Sequence, residues 1–255
     1  MVQIGGTPSA VTAPQVPIPE LFAQQHGIGI VTPYDFALDR EVWRWTPDDV
    51  SLYVTRTPRL AVPVTVEMAE LVSESSTVQA GTAEVLTAEP DVVAYLCTSG
   101  SFVHGLDGER ELRDAMTAIG APAAVTASGA LLEAVKHLGI ERLAVATPYV
   151  ESVTSRLHDY LGEAGVQVTS SAYLGLLDHI WLVPYAEVAQ LAISADSPDA
   201  DAVFLSCTNL PSYDAIAPLE QVLGKPVLSA NQVTMWAAVR ACGITPPPNG
   251  QRLFA

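Results

Sequence analysis

Short runs of β-branched and aliphatic residues alternate with amphipathic stretches along most of the chain, and this alternation predicts the elements. Strands are expected at Ile28 to Val31, Leu52 to Thr55, Val92 to Leu96, Ala123 to Thr126, Leu143 to Ala146, Val166 to Ala172, Val203 to Leu205 and Val227 to Leu228. Helical spacing fills the gaps at Val64 to Ser73, Thr82 to Leu86, Leu112 to Ile119, Leu131 to Leu138, Val150 to Ala164, Tyr185 to Ala195, Asp214 to Leu223 and Val233 to Cys242. Strands that alternate with helices give parallel sheets covered on both faces, so the expected fold class is α/β. Residues 1–26 are rich in Pro, Ala and Thr without a clear period, and read as an arm or subunit contact segment of a homo-oligomer.

The pattern also repeats. Pro122-Ala-Ala-Val-Thr-Ala-Ser-Gly through Gly-Ile140 matches Pro226-Val-Leu-Ser-Ala-Asn-Gln-Val through Gly-Ile244 without a gap, each a strand feeding a helix that stops at Gly. Ile30-Val-Thr-Pro-Tyr34 resembles Val145-Ala-Thr-Pro-Tyr149, and Asp91-Val-Val-Ala-Tyr-Leu-Cys-Thr98 resembles Asp201-Ala-Val-Phe-Leu-Ser-Cys-Thr208. Three matches in one order predict two pseudosymmetric parallel-sheet halves. The first would span 27–120, completed by the C-terminal stretch 228–255, and the second 121–227. Equivalent strand ends would meet at a shared crevice, where open parallel sheets bind ligands.

Composition narrows the partners. A net charge of -16 with only 12 Lys and Arg excludes a broad basic surface, and with it nucleic acid or an anionic membrane as partner. A bound anion would therefore rest on backbone N–H groups, hydroxyls and helix N-termini. No apolar run is long enough to span a bilayer, and the first residues lack a signal-peptide pattern, so a cytoplasmic location is expected. Three scattered cysteines do not form a disulfide framework and fit a reducing compartment.

Two of those cysteines carry the candidate chemistry. Cys97, in Cys97-Thr-Ser-Gly-Ser101, and Cys207, in Cys207-Thr-Asn-Leu-Pro-Ser212, each follow a buried-looking strand and each precede Thr. A single buried Cys is usually an inert small hydrophobe, but recurrence at the same place in both repeats favours a shared function. Cys242 falls inside an amphipathic helix and reads as core packing. Two thiols on either side of a carboxylic acid suit proton transfer at the carbon next to the carboxylate. One thiolate takes a proton, the other thiol returns one, and donors stabilise the enediolate between. Thr98, Ser99, Ser101, Thr208 and Asn209 are the candidate donors, although the same residue types fill turns and caps. The repeated Thr-Pro-Tyr segments add Pro33, Tyr34 and Tyr149, whose phenols could hold a carboxylate or simply cover a helix start. His179, in a loop after a strand, could reach the crevice, although a lone His there is more often a surface residue. Metal-ligand spacings, nucleotide-binding glycine loops and a Gly-x-Ser-x-Gly motif are all missing, which leaves a site without cofactor or metal.

These segments resemble the Asp/Glu racemase superfamily, in the branch of arylmalonate decarboxylase and maleate cis-trans isomerase. The resemblance runs from Gly27 to Ile244 and is sharpest at Cys97-Thr-Ser-Gly-Ser-Phe102, Ala146-Thr-Pro-Tyr-Val150, Leu205-Ser-Cys-Thr-Asn-Leu210 and Leu228-Ser-Ala-Asn-Gln-Val-Thr-Met-Trp236. It implies a two-domain pseudosymmetric α/β fold, Cys207 as the shared reactive cysteine, and Tyr149 with the groups at 98, 99 and 208 as carboxylate binders. Decarboxylases of the branch keep only the second thiol, whereas racemases and maleate isomerases have both, so Cys97 implies a racemase or isomerase of a small carboxylate or dicarboxylate. Decarboxylation with Cys207 as proton donor is the enzymatic alternative, and a non-catalytic small-acid binding protein the other. The chain departs from maleate isomerases at Thr32-Pro-Tyr-Asp-Phe36, where they have Pro-Ser-x-Asn, and at His179, where they have Asn.

Overall fold

The computed structural model describes residues 25–255, so the expected arm over 1–26 lies almost wholly outside the described residues. The first half runs β1 (His26–Thr32), α1 (Asp39–Arg44), β2 (Val50–Arg56), α2 (Val66–Val72), α3 (Ser75–Leu86), β3 (Val92–Tyr95), α4 (Thr98–Phe102), α5 (Gly105–Ala118), β4 (Ala124–Thr126) and α6 (Ala127–Leu138). The second runs β5 (Arg142–Thr147), α7 (Glu151–Glu163), β6 (Gln167–Tyr173), α8 (Tyr185–Ala195), β7 (Ala202–Leu205), α9 (Tyr213–Leu223), β8 (Val227–Ser229) and α10 (Ala230–Ala241). Two parallel four-stranded sheets result, ordered β2-β1-β3-β4 and β6-β5-β7-β8. The same strand order in both sheets is the duplication seen in the sequence.

The central strands show why these short runs become strands. Every residue of β3 and of β7 is buried, as expected where helices cover both faces of a parallel sheet. Their sequences, Val-Val-Ala-Tyr and Ala-Val-Phe-Leu, are accordingly apolar throughout rather than alternating. The edge strands β2 and β6 are only partly buried and carry Ser, Thr and Gln among their apolar residues. No helix among the described residues is long and apolar enough to cross a membrane.

The halves are more interwoven than a division at residue 120 implies. β4 pairs with β3 through Val93–Ala124 and Tyr95–Thr126, so 124–126 lies in the first sheet. α10 then returns from the second sheet to pack along α6 and against β3 and β4. The return of α10 fits the expectation that 228–255 completes the first half, whereas β4, placed in the second half by the repeat, belongs to the first sheet. Thr126 caps α6 by accepting from Gly129 N–H, and Ser229 caps α10 with a capping box to Gln232. Gly139 and Gly243 end those helices with φ of +66° and +80°. From cap to glycine α10 holds one residue more than α6, so the gapless sequence match pairs Thr126 with Ala230, one residue away from its structural counterpart Ser229.

Candidate active site

The carboxyl ends of β3 and β7 each lead within two residues to a thiol. Cys97 is the N-cap of α4, with φ -142° and ψ 108°. The backbone N–H of Gly100 and the Tyr95 and Ser99 hydroxyls therefore gather around its sulfur, with Ser99 Oγ at 4.0 Å. Gly100 is dictated by this packing. A Cβ there would lie 3.1 Å from Cys97 Sγ and 2.5 Å from Tyr95 Oη. Cys207 is held differently. Its φ is +92°, a backbone region costing a non-glycine residue about 1–3 kcal/mol and typical of functional sites. Pro211 stops a helix from forming directly after Cys207, so a loop follows where α4 stands in the other half. Within it the Asn209 N–H donates to Cys207 Sγ at 3.4 Å.

Both sulfurs line one narrow cavity of about 20 Å³, enough for about one water, together with Thr98, Ser99, Tyr149, Thr208 and Asn209. Pro33, Asp35, Phe36, Val64, Met68 and Ile180 complete the wall. Among the described residues the lining contains no Lys or Arg and one carboxylate, Asp35, so an anion there would depend on amides and hydroxyls. Thr98 Oγ1 is buried and has no hydrogen-bond partner among the described residues, leaving its hydroxyl free for a ligand. The carbonyls of both threonines are tied down symmetrically. Ser128 Oγ donates to Thr98 O at 3.2 Å, and Asn231 Nδ2 to Thr208 O at 2.9 Å. Ser128 and Asn231 are each the second residue of their helix, so the duplicated helices hold the duplicated loops.

Burial dominates the electrostatics. Desolvation pushes the Cys97 thiol up to about 11, against the lowering from Gly100 N–H, Tyr95 and Ser99, with the Asp35 carboxylate pushing it further up. Cys207 rises to about 12 for the same first reason, opposed by Tyr149 and the Asn209 N–H and reinforced by Asp35 and Cys97. Burial thus favours the protonated state of both thiols. Burial also raises Asp35 and raises Tyr149 well above the usual phenol range, so Tyr149 stays a donor.

The two halves are locked together beside the thiols. The Asn209 side chain donates through Nδ2 to Asp35 O at 3.0 Å and accepts from Ala37 N–H at 2.9 Å. Glu41 of α1, itself buried, accepts from the N–H groups of Ser212 at 3.0 Å and Tyr213 at 3.3 Å, at the start of α9, and from the Tyr185 hydroxyl. A carboxylate at that helix start complements its exposed N–H groups.

Several expected site residues fall elsewhere. Ser101 Oγ donates to Thr98 O at 2.9 Å and meets Ser128 Oγ at 2.7 Å, stitching α4 to α6 behind the cavity. Asn209 lines the cavity, but its amide is occupied by the 35–37 segment. Tyr34 points outward, donating to Val62 O at 3.3 Å. His179 is exposed and paired with Asp178 at 3.0 Å. Both line a neighbouring cleft, while their chain neighbours Pro33, Asp35 and Ile180 line the thiol cavity itself. Conversely, the cavity is also lined by Asp35, Phe36, Val64, Met68 and Ile180, which the sequence does not mark as site residues. Asp35 and Phe36 were findable, since they directly follow the repeated Thr-Pro-Tyr segment.

The family model described as arylmalonate decarboxylase matches residues 67–254. The chain belongs to the arylmalonate decarboxylase family. Arylmalonate decarboxylase of Bordetella bronchiseptica is 36% identical over 157 residues, 60% of this chain and 65% of that protein. Maleate isomerase of Geobacillus stearothermophilus is 30% identical over 182 residues, 68% of this chain and 72% of that protein. Among solved structures, a liganded double mutant of arylmalonate decarboxylase superposes with a TM-score of 0.80 at 30% identity, covering 90% of this chain and 99% of that one. A maleate cis-trans isomerase of Nocardia farcinica, carrying a covalently bound succinylcysteine intermediate, shares the fold with a TM-score of 0.82 at 23% identity, covering 90% of this chain and 98% of that one. The expected two-domain α/β architecture is the one these structures have.

Proposed function

We propose that the chain is a cofactor-independent racemase or isomerase of a small carboxylate or dicarboxylate, with Cys97 and Cys207 as its acid/base or nucleophile pair. The carrying observation is that both thiols and the unpartnered Thr98 hydroxyl line one cavity between the carboxyl ends of β3 and β7. In racemisation one thiolate takes the proton next to the substrate carboxylate. The electron pair passes into the enediolate, held by Thr98, Ser99 and Thr208, and the opposite thiol returns a proton from its own face. In cis-trans isomerisation a thiolate adds to one alkene carbon, the carbon–carbon bond rotates, and elimination restores thiolate and alkene.

A second reading draws on the wall of Phe36, Val64, Met68 and Ile180. An apolar wall destabilises a carboxylate pressed against it and favours loss of carbon dioxide, after which Cys207 would protonate the enediolate. NMR of substituted malonates, maleate and chiral 2-substituted acids in deuterated water separates these outcomes. A racemase labels both enantiomers, an isomerase yields fumarate, and a decarboxylase releases carbon dioxide in the Cys97→Ser variant but not in Cys207→Ser. Turnover kept in both serine variants removes the thiols from the chemistry.

A further inference from the structure

Beside the thiol cavity lies a much larger cleft of about 480 Å³, with Asp35 and Val64 lining both. Its walls come from the segment after β2, around Arg59 to Val64, and from the loop after β6, around Leu177 to Trp181. The two loops are clasped by Val64 N–H donating to Leu177 O at 2.8 Å, and Tyr34 fastens to the first of them through Val62 O. The inner cavity is small, and the cleft that shares Asp35 and Val64 with it offers room for the rest of a larger substrate.

The cleft's charges are unequal. Asp178 lies 3.0 Å from His179 Nδ1, a contact that offsets its charge only when the imidazole is protonated. Asp35, at the neck, is raised by burial towards its neutral form. Arg59 takes part in none of the ion pairs found among the described residues, so its guanidinium is free to meet a ligand in a cleft that Asp35 and Asp178 also line. The wall that runs in sequence from Arg59 to Val64, the residue shared with the thiol cavity, is aliphatic through Leu60, Ala61, Val62 and Pro63.

From this placement we infer that the cleft is a specificity subsite. It takes the far end of an extended acid whose reacting carboxylate sits between the thiols, whose middle is apolar, and whose terminal anion is held by Arg59. This rests on the two-thiol reading above and deepens it, since it names the substrate class as acids with a second anionic group beyond an apolar linker. A guanidinium can bind a terminal carboxylate through two parallel N–H donors, whereas an apolar end leaves it unused.

Calorimetric binding of hexanoate, succinate, adipate and suberate to the wild type, Arg59→Gln and Arg59→Lys tests the inference without requiring turnover. The wild type is expected to bind adipate or suberate more tightly than hexanoate. Arg59→Gln should weaken the long diacids about fivefold, as for a partly exposed charged contact, and leave hexanoate unchanged. Arg59→Lys should fall between. Equal affinity of the wild type for diacids and hexanoate, or an equal loss for both in Arg59→Gln, overturns the subsite while leaving the two-thiol reading in place. If the wild type binds none of these acids but turns over a compact acid in the Cys-dependent assay, the subsite again falls alone. If it neither binds nor turns over any acid, both fall.

Discussion

Replacing Asn209 by Ala removes the side chain that joins the Cys207 loop to the 35–37 segment of the other half. Two hydrogen bonds are lost, one to Asp35 O at 3.0 Å and one from Ala37 N–H at 2.9 Å. A neutral hydrogen bond contributes about 1 kcal/mol net, and an orphaned buried partner costs more. Ala37 is exposed, so water can recover part of its bond, while the space vacated by a nearly fully buried side chain adds a packing loss. The sum is roughly 2 kcal/mol, equivalent to about 4–8 °C in Tm for a chain of this size. Urea unfolding followed by circular dichroism measures it, with m unchanged if only contacts are lost. The loop also carries the N–H that reaches Cys207 Sγ, so turnover should fall by about tenfold or more as the thiol's position relaxes. Asn209→Asp keeps the acceptor for Ala37 N–H and should recover part of the stability. It adds a negative charge next to Cys207, so the activity should stay low. An Asn209→Ala variant with wild-type unfolding midpoint and wild-type turnover refutes this bridge.

Other consequences are equally open to measurement. Gly100→Ala forces a methyl against Tyr95 Oη, Cys97 Sγ and Val72, and is expected to cost about 1–3 kcal/mol in urea unfolding and to lower turnover with it. Glu41→Gln weakens the cap on α9 and the tie to Tyr185, and should destabilise by about 1–3 kcal/mol in the same assay, with no change in m. The thiols predict a pH dependence of stability. Their folded pKa values, about 11 and about 12, lie above the ordinary value of 9.0, so the stability they contribute is complete below pH 9. It is lost progressively as pH rises through the folded values. At a pH one unit above the unfolded value the loss is roughly 1 kcal/mol per thiol, and Cys97→Ser or Cys207→Ser should flatten that alkaline decline. A serine variant that declines as steeply as the wild type contradicts the burial assigned to that thiol.

Much of the fold is legible in the chain because each strand is a compact apolar run between turn residues. All eight expected strand segments overlap observed strands. The helices were less complete. α1 escaped because its Asp-Arg-Glu-Val-Trp-Arg run is short and mostly charged, and its stability comes from Glu41 and Val42 packing inward. α4 escaped because Thr-Ser-Gly-Ser has low helix propensity. It forms because the loop is buried at a strand end, and with it comes the N–H donor that faces Cys97. The duplicated Cys-Thr positions were visible as repeats, whereas the roles of Asn209, Ser101 and Tyr34 depend on partners far away in sequence. Local spacing cannot reveal that an amide is already occupied.

The proposed chemistry requires Cys97 and Cys207 to approach one ligand from two sides, and mercuric ion reports this without any knowledge of the substrate. In a Cys242→Ser background, mass spectrometry of the native chain titrated with mercury(II) should show one ion bridging both thiols, with tight binding lost in either further serine variant. Two ions bound independently, or tight binding that survives loss of one thiol, would mean the sulfurs do not share a cavity.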